Sequence, residues 1–126
     1  MFTIAIHGGA GLSTPEDLGA EREHQARIDL QQSLQAAHAI LSNGGKAIDA
    51  VVAAVQVMEN SPLFNAGRGA VLASDGGCYM DASIMDGETE NAGALSGSSV
   101  VQNPIVAAQK VMTETPYVML VGESLS

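Results

Sequence analysis

Residues 78–98, CYMDASIMDGETENAGALSGS, decide the fold. Tyr79, Asp81, Ser83 and Met85 alternate with Cys78, Met80, Ala82 and Ile84, the period of a half-buried strand. Asp86-Gly87 is a hairpin signal, and residues 91–98 supply the returning strand. Working backward, residues 70–73 are a further short apolar segment, set off by a second such signal at Asp75-Gly76, so a meander is predicted. Before the meander the grammar is helical. Thr14 reads as an N-cap, Pro15 as the first helical residue, and Glu16 and Asp17 as first-turn acids. Leu30, Leu34, Ala37 and Leu41 then recur on one face until Asn43-Gly44-Gly45 stops the helix. Ile48, Val51, Val52, Val55 and Met58 mark a second helix, ended by Pro62. Residues 2–6 (FTIAI) predict a short buried strand broken by His7-Gly8-Gly9-Ala10-Gly11, Pro104 opens another helix, and residues 117–121 read as a strand. This order predicts an α/β (α+β) layered fold, an antiparallel sheet with helices on its face.

The chain has 126 residues, 46% hydrophobic but only 3% aromatic, which suits one ordinary domain. With two Phe, two Tyr and no Trp, the core must come from Ala, Val, Ile, Leu and Met. Small side chains fill a core only where backbones approach closely, and 14 glycines point the same way. A net charge of −9, with five Lys and Arg, leaves no basic stripe for nucleic acid or for an anionic membrane surface. The single Cys78 excludes an internal disulfide and a multi-cysteine zinc site, and a small core residue is its expected role. The opening MFTIAIHGGAG lacks a basic n-region, and no segment reads as a membrane span, so a soluble, cytoplasmic protein is expected.

Two glycine-rich stretches are candidates for chemistry. His7–Gly11 follows a strand, but no βαβ unit comes after it, so as a dinucleotide loop it is weak and a plain turn is favoured. Residues 59–70, ENSPLFNAGRGA, begin where a helix end leaves carbonyls unsatisfied. Such a cluster can bind a hard cation, though a capped helix end explains it as well. Asn65 is a plausible site amide, and Arg68 is free to hold a carboxylate or to pair on the surface. Asp81 and Asp86 have opposite strand parity and do not make a carboxylate pair; Asp86 opens the turn. His24 and His38 lie 14 apart without a partner at ligand spacing, His7 alone is a strand-end histidine, and no Ser/His/Asp or Cys/His set can be assembled.

Taken together, IAIHGGAG, SPLFNAGRGAVL, MDASIMDGETENAGALSG and NPIVAAQKVM resemble, in order and spacing, the N-terminal part of plant-type L-asparaginases, also called isoaspartyl peptidases. The resemblance implies an N-terminal nucleophile hydrolase with a four-layer αββα sandwich, residues 1–126 being the α-subunit portion of one domain and contributing to both sheets. It implies a precursor that cuts itself, exposing a threonine at the start of a β subunit. That threonine attacks the side-chain carbonyl of L-asparagine or of a β-aspartyl dipeptide, with its own α-amine as base. An α-amine pKa of about 7.7–8.0 suits that work. The expected assembly is a dimer of αβ heterodimers, without organic cofactor.

No GTVG-type motif is present, so the catalytic nucleophile is not in this chain, nor are the downstream arginine and aspartate that grip the substrate. By this likeness the sequence stops at residue 126, before the end of a normal α subunit. The carry-over assigns Gly9 to the active-site floor and Asn65 to orienting the nucleophile. It assigns a structural sodium to the backbone oxygens of Met58, Glu59, Ser61, Phe64, Ala66 and Arg68. A glycosylasparaginase-like relative with other substrates, and a truncated, non-catalytic scaffold that keeps the sodium loop, are the alternatives.

Overall fold

The computed structural model describes residues 1–11 and 14–122. Residues 123–126, on which the expectation about the chain's end bears, lie outside them. A short helix α1 (Pro15–Leu18) starts as the sequence predicts: the Thr14 hydroxyl accepts the Asp17 N–H at 3.2 Å, and the Asp17 carboxylate accepts the Thr14 N–H at 3.1 Å. The single long helix expected from Thr14 onward is in fact two. Gly19, at φ +82°, breaks it, and α2 (Ala20–Ser42) follows. Helix α3 (Ala47–Asn60) returns antiparallel after the Asn43-Gly44-Gly45 turn.

The α2–α3 seam is narrower than the leucine periodicity implies. Leu34 is 38% exposed, while Ser33 and Ala37 are buried. The Ser33 hydroxyl donates to the Ala54 carbonyl at 2.7 Å, a bond that requires the two helices to lie close. Ala37, Ala50 and Ala54 form that seam, and Ile4 and Ile6 pack against it.

Strands β1 (Met80–Met85) and β2 (Ala92–Ser98) form the expected hairpin, with Ile84 opposite Gly93 and Met85 opposite Ala92. Helix α4 (Pro104–Glu114) covers one face of it, burying Ile84, Leu95, Ile105, Ala108 and Val52 of α3 in one cluster. Burial of each large aliphatic side chain there contributes about 1.5–3 kcal/mol.

Strand β3 (Met119–Val121) then joins β2 in parallel, so the sheet is mixed (β1-β2-β3) rather than antiparallel throughout. The reason is the connection: α4 carries the chain back along the sheet, and a crossover helix delivers the next strand parallel. Helix α4, with Val52 of α3 in the same cluster, thus lies on one side of a single sheet among the described residues. Its other face presents Ser83, Met85, Ala94, Met119 and Val121. Met119 and Val121 are 52% and 59% exposed.

Two expected strands do not form. Residues 70–73 lead into a turn closed by Ala73 N–H to Gly77 O (2.8 Å), and no ladder flanks it. Residues 2–6 pair with no strand among the described residues. Their burial nonetheless has a strand's period, with Ile4 and Ile6 half-buried and Thr3 and Ala5 exposed. What is missing is a neighbour, not the pattern. Cys78 is a half-buried free thiol outside both core clusters, so its expected core role is not borne out.

Gly93 is where the small-residue composition takes effect. A Cβ there would collide with the Ala108 carbonyl and the Met112 backbone nitrogen, so α4 rests on the β2 main chain. Gly93→Ala is expected to destabilise the protein by about 1–3 kcal/mol, through forced separation of helix and strand. Urea unfolding checks it, and an unchanged midpoint contradicts it.

Candidate active site

The loop after α3 is tied down by side chains at three points. Glu59, 3% exposed, reaches the N-terminus of α4: its carboxylate accepts the Ile105 N–H at 2.8 Å and the Asn103 amide at 3.0 Å. Ser61 donates to the Asp29 carboxylate of α2 at 2.6 Å and accepts the Leu63 N–H at 3.2 Å. The Asn65 amide oxygen accepts the Val71 N–H at 3.0 Å, leaving its NH₂ group without a hydrogen-bond partner among the described residues.

Within the loop, Phe64 O accepts the Ala66 N–H (2.8 Å) and Ala66 O the Gly69 N–H (3.1 Å), the latter across a single 3-10 turn at Gly67–Gly69. Gly67 has φ +51°, and a Cβ there would strike the Glu59 carbonyl. At Gly69 it would strike the carbonyls of Phe64 and Pro62. Three carbonyl oxygens thus lie against the loop's two glycines, and each has two lone pairs, so an internal hydrogen bond does not use it up. Oxygen donors of this kind suit a hard cation. Among the described residues no group of three or more His, Cys, Asp or Glu could hold a metal. Of the oxygens assigned from sequence, that of Glu59 lies against Gly67 and that of Phe64 against Gly69.

The two glycine-rich stretches meet. A Cβ at Gly8 would come within 3.0 Å of the Phe64 ring and 3.2 Å of Leu30, so the His7–Gly11 turn is seated on the loop. Gly9 follows at φ +127°, exposed. On the other side, a cleft of about 220 Å³ is lined by Asn65, Gly67, Tyr79, Asp81, Pro104 and Glu59, among others. It joins the PLFNAG stretch to the start of the DASIMDG strand.

Asp81 sits opposite an irregularity in the hairpin and accepts the Ser96 hydroxyl (2.7 Å) and the Gly97 N–H (2.9 Å). Those two bonds hold its pKa below the ordinary carboxylate value. Asp86 opens the turn as expected, accepting from Glu88 N–H and the Thr89 hydroxyl, and is not brought to Asp81. Arg68 is exposed and makes no ion pair among the described residues. His24 is exposed; His38 packs edge-on against Phe2 and lies 3.2 Å from the Ser42 hydroxyl. Sequence reasoning missed the side chains of Glu59, Asp29 and Asn103. Their partners lie 32 to 46 residues away, and no local pattern marks such pairs.

A helix packed on one face of a mixed sheet, a loop after α3 with the His7–Gly11 stretch seated on one side of it and a cleft on the other, define an α+β chain. The asparaginase family model matches residues 1–126, and the chain belongs to that family. It is 43% identical over 120 residues to the isoaspartyl peptidase of Salmonella typhimurium, covering 95% of this chain and 38% of that protein. It is 42% identical over 123 residues to the isoaspartyl peptidase/L-asparaginase of Danio rerio (98% and 38%). To the plant-type L-asparaginase of Pyrococcus abyssi it is 45% identical over 123 residues (98% and 39%). The chain thus spans less than two fifths of the length of these relatives.

Burial raises the Glu59 carboxyl above its ordinary value of 4.5, against the downward pull of the Ile105 N–H and Asn103 bonds. The native state therefore holds this proton more tightly than the unfolded chain. Its contribution to stability declines as pH rises from 4.5 through the raised value. Asp81 runs the other way: its contribution is present above 3.8 and is lost as pH falls through its lowered value. The melting temperature of Glu59→Gln relative to wild type is expected to improve from pH 4.5 toward neutrality. Asp81→Asn should lose ground to wild type as pH rises through the acid range, and thermal melts across pH check both; pH-independent differences contradict them.

Proposed function

We propose that this chain is the α-subunit portion of a hydrolase that cleaves the side-chain amide of L-asparagine and the isopeptide bond of β-aspartyl dipeptides. The observation that carries the reading is the identity of 42–45% to relatives named for these activities, across 95–98% of the chain. It includes the stretches that meet at the Asn65 cleft.

On this reading the nucleophile is a threonine at the start of a β subunit from the same precursor. Its hydroxyl attacks the substrate's side-chain carbonyl and its α-amine takes the proton. The C–N bond breaks, ammonia or an amino acid leaves with a proton, and water then cleaves the β-aspartyl ester to release aspartate. In this chain Gly9 forms the floor, where a side chain would crowd the substrate. The unpartnered NH₂ of Asn65 is free to orient the threonine hydroxyl. A sodium ion held by the backbone oxygens of Met58, Glu59, Ser61, Phe64, Ala66 and Arg68 would supply fixed positive charge that stiffens the loop. No step passes through it.

The bare sheet face and the unpaired residues 2–6 support completion of a four-layer sandwich by segments outside this chain. A cytoplasmic dimer of αβ heterodimers is the assembly proposed.

The full-length protein is expected to yield, by mass spectrometry, a second chain beginning with threonine, and to release aspartate from β-aspartyl dipeptides. Asn65→Ala should lower kcat by about 10- to 100-fold, as expected for a misplaced reacting group. Parallel assays on asparagine, β-aspartyl peptides and glycosylasparagine distinguish the substrates. A single uncut chain without aspartate release overturns the proposal.

A further inference from the structure

We infer that the Glu59 side chain is a positioning residue: by tying the last turn of α3, from which the loop leaves, to the N-terminus of α4 it sets where Asn65 stands in the cleft. This rests on the function proposed above.

Glu59 is held from both ends. Its carboxylate is clamped by the Ile105 N–H (2.8 Å) and the Asn103 amide (3.0 Å), and Asn103 also donates to the Asn60 side chain at 3.0 Å. Gly67 lies close against its main chain, so close that a Cβ at Gly67 would come within 2.9 Å of the Glu59 carbonyl carbon. Asn65 lies two residues before Gly67. Movement of Glu59 is therefore passed to the 3-10 turn and to the amide beside it.

The other wall of the cleft belongs to α4 and β1. Pro104, the first residue of α4, lines it, as does Asp81. Helix α4 is itself seated on β1 and β2 through Ile84, Leu95 and Ala108. One carboxylate thus fixes the loop wall against the helix-and-sheet wall. The bonds also cap α4, whose N-cap Asn103 forms no side-chain cap of its own. Gln at position 59 keeps an acceptor for Ile105 but turns an NH₂ toward the Asn103 NH₂, and so loosens the tie without emptying the space.

The test uses the full-length protein with Glu59→Gln, Asn65→Ala and the double variant. Glu59→Gln is expected to lower kcat by about tenfold or more, KM staying within about twofold. In the Asn65→Ala background the same change should cost less than about twofold, because the group it positions is gone. Independently, exchange of the Val71 amide, which reports the Asn65 bond, should quicken by about tenfold in Glu59→Gln while the Ala94 amide in the sheet is unchanged.

Unaltered Val71 exchange overturns the inference. So does equal loss of protection at Val71 and Ala94, or a kcat loss that persists in full without Asn65. If the wild-type protein releases no aspartate, the proposed function falls, and the exchange measurement alone decides the role of Glu59.

Discussion

Main chain lies against main chain or ring at several decisive places, and the rest of the structure depends on it. Gly93 brings α4 onto β2, Gly67 brings the 3-10 turn onto the Glu59 carbonyl, Gly69 receives the carbonyls of Pro62 and Phe64, and Gly8 receives the Phe64 ring. A chain with 3% aromatic residues cannot fill wide gaps between layers. It reaches interior density by closing the gaps instead. The Ala37, Ala50 and Ala54 seam is the same solution between helices. At the loop, the same closeness brings the carbonyls of Glu59, Pro62 and Phe64 against glycines, so core and loop are packed by one means.

Close packing leaves little room for polar mistakes, and the buried polar groups here are mostly met by partners far away in sequence. Ser33 donates to Ala54, Ser61 to Asp29, and Glu59 accepts from Ile105 and Asn103. An uncompensated carboxylate in such surroundings would cost several kcal/mol. Ionised, Glu59 adds favourable charge at a helix N-terminus, while burial pulls it toward the neutral acid. The site therefore stands on a group held between two opposing terms.

Much of this was legible in the sequence, because it rests on short-range periodicity. The capping box at Thr14, the α3 stripe, the Asp86 turn and the alternation through Met80–Met85 are all written within one element. What was illegible depends on neighbours. Leucine spacing could not show that α2 would bury Ser33 in place of Leu34, since that choice is made by the Ala54 carbonyl. A glycine at position 19 inside a helical pattern is tolerable or breaking according to its surroundings, and here it breaks. The direction of β3 follows from the path of α4, which strand composition does not encode. For the site, the loop that lines the cleft was visible as a glycine-rich motif. The ties at Glu59 and Ser61 were not, because each spans more than 30 residues.

Residues 2–6 carry this reasoning one step further. Their apolar side chains found their place, Ile4 and Ile6 lying on the alanine seam, yet their backbone pairs with no strand among the described residues. Side-chain burial and backbone pairing are separate requirements, and an apolar segment with strand periodicity normally satisfies both. The sheet face bearing Met85, Met119 and Val121 has the converse condition: its ladders are made, but its apolar side chains are uncovered. Parallel pairing of the kind seen between β2 and β3 occurs mostly where both faces are covered. Pairing acts edge to edge at about 4.8 Å and covering acts face to face at about 10 Å, so the two conditions are separate consequences of one chain satisfying its side chains and its backbone independently.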